Sequence, residues 1–160
     1  MPSDSRGEFI TAVCRCLPQS DLKECLPEGV IRYRDVAFFI VPEQTDTVSR
    51  LSVVVDLGAI SPPRRIDAYR HMAGYNLSKG APEHGVLGVS PASPDAAVHR
   101  LFFQVDDALQ PAGFARALHA LATHALNFRA NYGTRSAGAD PRFSRFFTSE
   151  PENVETADGL

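Results

Sequence analysis

Five histidines and three cysteines are the side chains of this 160-residue chain best suited to metal binding, nucleophilic attack or proton transfer. The histidines are His71, His84, His99, His119 and His124. None stands in an H-E-x-x-H motif and no His-x-His pair occurs, so the spacing offers no zinc site. His119 and His124 are five residues apart, which on a helix puts them about 140° apart around the axis. The spacing predicts surface or boundary histidines. Cys14 and Cys16 are two apart on an expected helix, point to nearly opposite sides and cannot share a metal ion. With Cys25 they form an odd set without a C-x-x-C pair, which predicts reduced thiols. Cys14 and Cys16 then act as small apolar helix residues. An enzyme on this chain would use His119 or Cys25 in a cavity between sheet and last helix, with a partner group brought in by folding.

Other strings are weaker. Gly74-Tyr-Asn-Leu-Ser-Lys79 has the outline of a phosphate loop, but the Gly before the Lys is missing and the segment follows a helix. Gly85-Val-Leu-Gly88 reads as tight geometry around a short strand. No G-x-S-x-G elbow is present. Asp106-Asp107 sits where a turn precedes the last helix, and negative charge is favourable there. These residues predict no catalytic site, no metal and no cofactor.

The elements that must position any site follow from periodicity. Phe9, Ile10, Val13, Cys14, Cys16 and Leu17 predict a helix over 8–17, ended by Pro18. A short turn is expected over 21–26. Residues 30–41 and 51–57 are rich in β-branched and aromatic side chains and predict two strands joined as an antiparallel hairpin. A helix is expected over 64–76, opened by Pro62 or Pro63. Strands follow over 85–89 and 98–105. Phe114, Leu118, Leu121, Ala125, Phe128 and Tyr132 form one stripe on a helix over 111–132. The order is α-β-β-α-β-β-α, an α+β domain of helices packed on an antiparallel sheet over residues 1–133. Residues 134–160 are expected to be a flexible, disordered acidic tail. Its aromatic spot, Phe143, Phe146 and Phe147, either docks on the body as a self-ligand or stays solvated.

Composition bounds the function. At 44% apolar and 22% charged residues the chain has enough apolar content for one folded core. Removing Glu150, Glu152, Glu155 and Asp158 from the 19 acids leaves 15 against 16 bases, a net of +1 for residues 1–149. A near-neutral body argues against a nucleic-acid binder, which needs a basic stripe. No apolar run reaches the roughly 20 residues of a membrane span, and the start carries no apolar signal region. A cytoplasmic location is expected.

The strands carry surplus apolar surface. In the first, Val36, Phe38 and Ile40 fall on one side and Ala37, Phe39 and Val41 on the other. The second adds Val54 opposite Leu51, Val53, Val55 and Leu57, and the last adds Phe102 opposite Leu101, Phe103 and Val105. A sheet with helices on one side normally alternates apolar with polar. Two apolar sets predict a partner on the second face, unless the chain's own helices cover both.

This order, with several local strings, resembles the class I type III secretion chaperones, the CesT-like (Tir chaperone) family, over residues 5–132. Tyr69-Arg-His-Met-Ala-Gly-Tyr-Asn76 looks like the family's second helix, and Gly85-Val-Leu-Gly-Val-Ser-Pro91 like its Gly-x-Leu-Gly-apolar strand and turn. Leu101-Phe-Phe-Gln-Val105 looks like the next strand and 111–132 like the long last helix. The resemblance implies a non-enzymatic cytoplasmic homodimer that holds the N-terminal segment of secreted effectors in extended form. It also implies contact with the secretion-apparatus ATPase. Carried over by position, Ile66, Tyr69, Arg70, Ala73 and Leu77 would form the dimer interface. Phe9, Val13, Val36, Phe38, Val53 and Val55 would bind the effector, with the sheet face chosen by alternation alone. A regulatory or immunity-type binding protein, or a small enzyme, are the competing readings.

Overall fold

The computed structural model describes residues 3–44, 49–79, 84–91, 93–106 and 108–133. Three helices, α1 (Ser3–Cys16), α2 (Arg65–Lys79) and α3 (Pro111–Tyr132), accompany six strands. These are β1 (Leu22–Leu26), β2 (Val30–Tyr33), β3 (Val36–Gln44), β4 (Ser49–Ala59), β5 (Val86–Ser90) and β6 (Ser93–Gln104). The domain is α+β with one antiparallel sheet in the order β1-β2-β3-β4-β6-β5. The expected tail and its three phenylalanines lie outside the described residues, as does Asp107.

Two expectations change. The turn expected over 21–26 is the edge strand β1, paired with β2 from Leu22↔Tyr33 to Leu26↔Val30. The single strand expected over 30–41 is a hairpin of β2 and β3. Arg34 and Asp35 both take positive φ, 50° and 61°, between the paired residues Tyr33 and Val36. That is the twist a two-residue hairpin requires. Asp tolerates this region better than most residues and Arg does not, so the turn was hidden inside an apolar run. Gly29 closes the preceding hairpin at φ 106°, and a Cβ there would stand 2.3 Å from the Ile40 carbonyl oxygen.

One core holds the layers together. Ile10, Val13 and Leu17 of the α1 region, Ala68 and Met72 of α2, and Phe114, Leu118, Ala122, Ala125 and Phe128 of α3 share a cluster with the sheet. The sheet contributes Ile31, Tyr33, Val36, Phe38, Ile40, Leu51, Val53, Val55 and Leu57. All three helices therefore cover the same face. Cys14 and Cys25 are joined by a disulfide that ties α1 to β1, with their Cα atoms 6.4 Å apart. The expectation of three reduced thiols is corrected. Cys25 is brought opposite Cys14 by the β1–β2 pairing, which the turn expected there would not have done.

Arg129 of α3 is 9% exposed and reaches two other chain segments, β4 and the β2–β3 turn. Its Nε donates to the Leu57 carbonyl at 3.2 Å. Its two terminal nitrogens donate to the carbonyls of Asp56 at 2.8 Å and Asp35 at 2.7 Å. The Asp56 carboxylate lies 3.7 Å away and accepts the Gly58 N–H at 2.7 Å. Gly58, at φ 90°, sits in the irregular pairing of β4 with β6, and a Cβ there would meet Arg129 at 3.0 Å. One guanidinium thus binds α3 to the β4 irregularity and to the β2–β3 turn.

Candidate functional site

The helix-free side of the sheet is built from the opposite phase of each strand. Phe39 pairs with Val54, and Val54 with Arg100. Side chains directly opposite in paired strands share a face, so Phe39, Val54 and Arg100 stand together with Ser52, Val98 and Phe102. Val54 and Val98 are 7% and 9% exposed and form a second apolar cluster with Phe39 and Ala96. Ala37, Val41 and Phe102 are half-buried on the same face. Arg50 and Arg100 place their guanidinium groups 4.4 and 5.1 Å from the Phe102 ring centre. Arg100 also donates to the Ser52 hydroxyl at 2.9 Å, and both arginines pair with Glu43. The result is an apolar strip with a charged rim. Among the described residues no helix belongs to it.

Val13, Val36, Phe38, Val53 and Val55 are fully buried under the helices. Phe9 is half-buried, with its ring edge-on to Phe114 at 5.5 Å. These residues were expected to touch an effector and instead make the core. The phase is inverted because β3 is apolar on both sides and alternation alone does not choose between them. The neighbouring strands did carry the signal. Ser52, Arg100 and Gln104 share the phase of Val54, while Leu51, Val53, Val55 and Leu57 form the unbroken apolar set that helices would cover.

An exposed apolar surface lies on α2. Ile66 and Leu77 are 66% and 86% exposed, and Tyr69, Arg70 and Ala73 are exposed as well. Val89 of the neighbouring edge strand β5, paired with Ala97, is exposed on the α2 side of the sheet, whereas Val86, paired with Arg100, is exposed on the helix-free side. All five residues expected at a dimer contact thus lie on the outer face of α2. The helix is seated by Ala68 and Met72 and by Asn76. The Asn76 side-chain amide donates to the Leu87 carbonyl and accepts the Leu87 N–H, both at 2.9 Å. It copies a strand partner and so closes the β5 edge at that residue.

The histidines are not all at the boundary. His99 is 2% exposed on β6 and its Nε2 donates to the His84 carbonyl at 2.8 Å, which leaves a neutral ring with the proton on Nε2. Its Nδ1 is buried without a hydrogen bond among the described residues. The rings of His124 and Tyr75 lie 5.2 and 5.5 Å from it. Burial pushes His99 down to about 4, and the positive charge of a protonated His124 adds to this against the His84 hydrogen bond. Burial also lowers His124, with His71 as the second cause. His119 faces elsewhere, its Nδ1 2.7 Å from the Tyr33 hydroxyl, as the five-residue spacing requires. Among the described residues no three His, Cys, Asp or Glu side chains are placed to hold a metal ion.

The residues named for an enzyme are separated. Cys25 is bonded to Cys14. Cys16, exposed and free, shares a hollow of about 290 Å³ with His119, Arg116 and Pro18, and among the described residues no carboxylate lines it. A larger hollow of about 600 Å³ runs along α1 between Arg6, Thr11, Arg15 and Pro27, and among the described residues no cysteine or histidine lines it. No described helix is long and apolar enough to cross a membrane. Compared with protein-family models and with curated proteins, the chain matches none.

Proposed function

We propose that the protein is a non-enzymatic secretion chaperone of the type III kind, a homodimer that holds the N-terminal segment of one or more effectors in extended form and promotes their export. The observation that carries this reading is the distribution of apolar surface. Three helices share one face of the sheet, while the other keeps Phe39, Val41 and Phe102 around Val54 and Val98. Such a strip suits an extended segment, whose alternate side chains fill it while its backbone stays unfolded. Ordering that segment costs several kcal/mol, so a large interface is needed. The effector site therefore moves from the helix-covered residues to the opposite face, and α2 supplies the contact between copies. The secretion-apparatus ATPase is the partner to which the loaded dimer would deliver.

The test is genetic and biochemical. Proteins that co-purify with the full chain from its host are identified by mass spectrometry, and their export is measured in a strain lacking the chain. We expect their export to fall, and Phe102→Asp, which leaves the helix-covered core intact, to lose them. Unchanged export in the deletion strain rejects the chaperone reading.

The dimer has its own test. Ile66→Glu with Leu77→Glu alters two side chains that are 66% and 86% exposed in one chain, so each chain should fold normally. Each buried apolar side chain contributes about 1.5–3 kcal/mol to a contact. Losing two weakens dimerisation by more than about 100-fold. Sedimentation at micromolar concentration should show monomers, and an unchanged dimer would rule out this face.

A further inference from the structure

We propose that the Cys14–Cys25 disulfide is a reversible redox latch on the edge strand β1: a dithiol reductant releases β1 from the sheet while α1 and the rest of the core stay in place. The latch does not depend on the chaperone reading.

The two elements that the disulfide joins are held very unequally. On the α1 side, Ile10 and Val13 are fully buried, Cys14 and Leu17 are nearly so, and Phe9 lies edge-on to Phe114. That helix stays docked without the bond. No residue of β1 is fully buried. Leu22 and Cys25 are the side chains of this strand packed on the core, and Leu26 is exposed. In the sheet β1 pairs with β2 alone, and the pairing is irregular between Leu22 and Glu24. Its ion pairs, Lys23 with Asp35 and Glu24 with Arg32, lie at the surface, where such pairs contribute little. Cys25 thus supplies one of two core contacts as well as the covalent link. A strand so attached is a unit of low local stability that opens on its own once the link is cut.

Access to the two sulfurs is unequal as well. Cys14 is 5% exposed, whereas Cys25 is half-buried at the sheet edge. The thiolate of the reductant therefore attacks the Cys25 sulfur. A mixed disulfide forms, the Cys14–Cys25 bond breaks, and Cys14 leaves as a thiolate that takes up a proton. The second thiol of the reductant then attacks its own partner sulfur in the mixed disulfide, closes the reductant's disulfide and releases Cys25, which is protonated in turn. Two electrons and two protons pass from the dithiol to the protein. Cys16, exposed and unbonded, takes no part. In the oxidised chain β1 covers the edge of β2; in the reduced chain the backbone groups of Val30–Tyr33 on that side face solvent, and β2 becomes the edge. The disulfide closes a loop of sequence separation 11, and removing a closure of that length favours opening by about 100-fold.

The test is hydrogen exchange with mass spectrometry on the full chain, oxidised and then reduced with dithiothreitol, alongside thiol counting with a maleimide. We expect the oxidised chain to label at Cys16 alone and the reduced chain at all three cysteines. On reduction, exchange over residues 22–26 should accelerate about 100-fold, while residues 53–55 and 114–128 keep their rates. Glutathione disulfide should restore both the single label and the slow exchange. Cys25→Ser should show the fast exchange without reductant, and Cys16→Ser should keep the slow one. Three labels in the chain before reductant is added would overturn the proposal. So would equal exchange over residues 22–26 in the two states, or a failure to return on re-oxidation. Protection lost throughout α3 on reduction would also overturn it, because the bond would then brace the whole fold instead of one strand.

Discussion

Arg129→Ala lowers the stability of the folded chain by about 3–5 kcal/mol, the cost of breaking a buried charged network from one side. The loss reaches several groups at once. The carbonyls of Asp35, Asp56 and Leu57 lose their donor, and the Asp56 carboxylate, itself 5% exposed, keeps its charge without its cation. Burial pushes the guanidinium down, and the charges of Asp56 and Asp35 hold it up. Urea denaturation near pH 7.5 measures the effect as a fall in the midpoint. Arg129→Lys should recover less than half of it, because a single ammonium does not reproduce the planar fork that spans three carbonyls. A midpoint unchanged in Arg129→Ala would show that the β2–β3 turn and the β4 irregularity hold without this link.

Acid is the second large effect. His99 titrates near 4 in the folded chain against about 6.5 when unfolded. Between those values the unfolded chain binds a proton that the folded chain does not. Stability is therefore complete above pH 6.5, falls as the pH drops towards 4, and levels off below that for this group. The full loss is about 3 kcal/mol. His124, also lowered by burial, adds in the same direction. Urea midpoints collected from pH 7.5 to 4 should slope downward. In His99→Gln, whose amide still donates to the His84 carbonyl, the slope should shrink by more than half. Equal slopes would place the acid sensitivity elsewhere. His99 lies under α2, beside Tyr75, so acid should loosen first the element that carries Ile66 and Leu77.

How much was legible depends on how local the signal is. The stripe Phe114, Leu118, Leu121, Ala125 and Phe128 placed α3 at its observed bounds, because a long amphipathic helix repeats its signal many times. Ile66, Tyr69, Arg70, Ala73 and Leu77 were carried over by position from the resemblance, and all five are exposed on α2. The β2–β3 hairpin was missed because its turn uses Arg34-Asp35 in place of a glycine pair. β1 was missed because Leu22–Leu26 is short and mixed in character, and only pairing with β2 makes it a strand. The Cys14–Cys25 bond followed that miss.

The candidate site shows the same division. Alternation within β3 identified two apolar sets and therefore an apolar strip on one face, but not which face. Arg129 carried no local mark as the link between three segments, nor did His99 as a buried neutral ring, since their partners come from residues 35, 56, 57 and 84.

By itself the sequence determined the periodic elements, the surplus of apolar strand surface, the absence of a spaced metal motif and the separation of His119 from His124. These depend on neighbours within a few residues, where backbone geometry alone decides which side chains share a face. Tertiary structure alone decided which face of the sheet the helices cover, which cysteines meet, and which charge and which imidazole are buried. Those outcomes depend on the packing of α1, α2 and α3 against strands far away in the chain. A pattern with period two is unchanged when its faces are exchanged, and only the packed helices remove that symmetry.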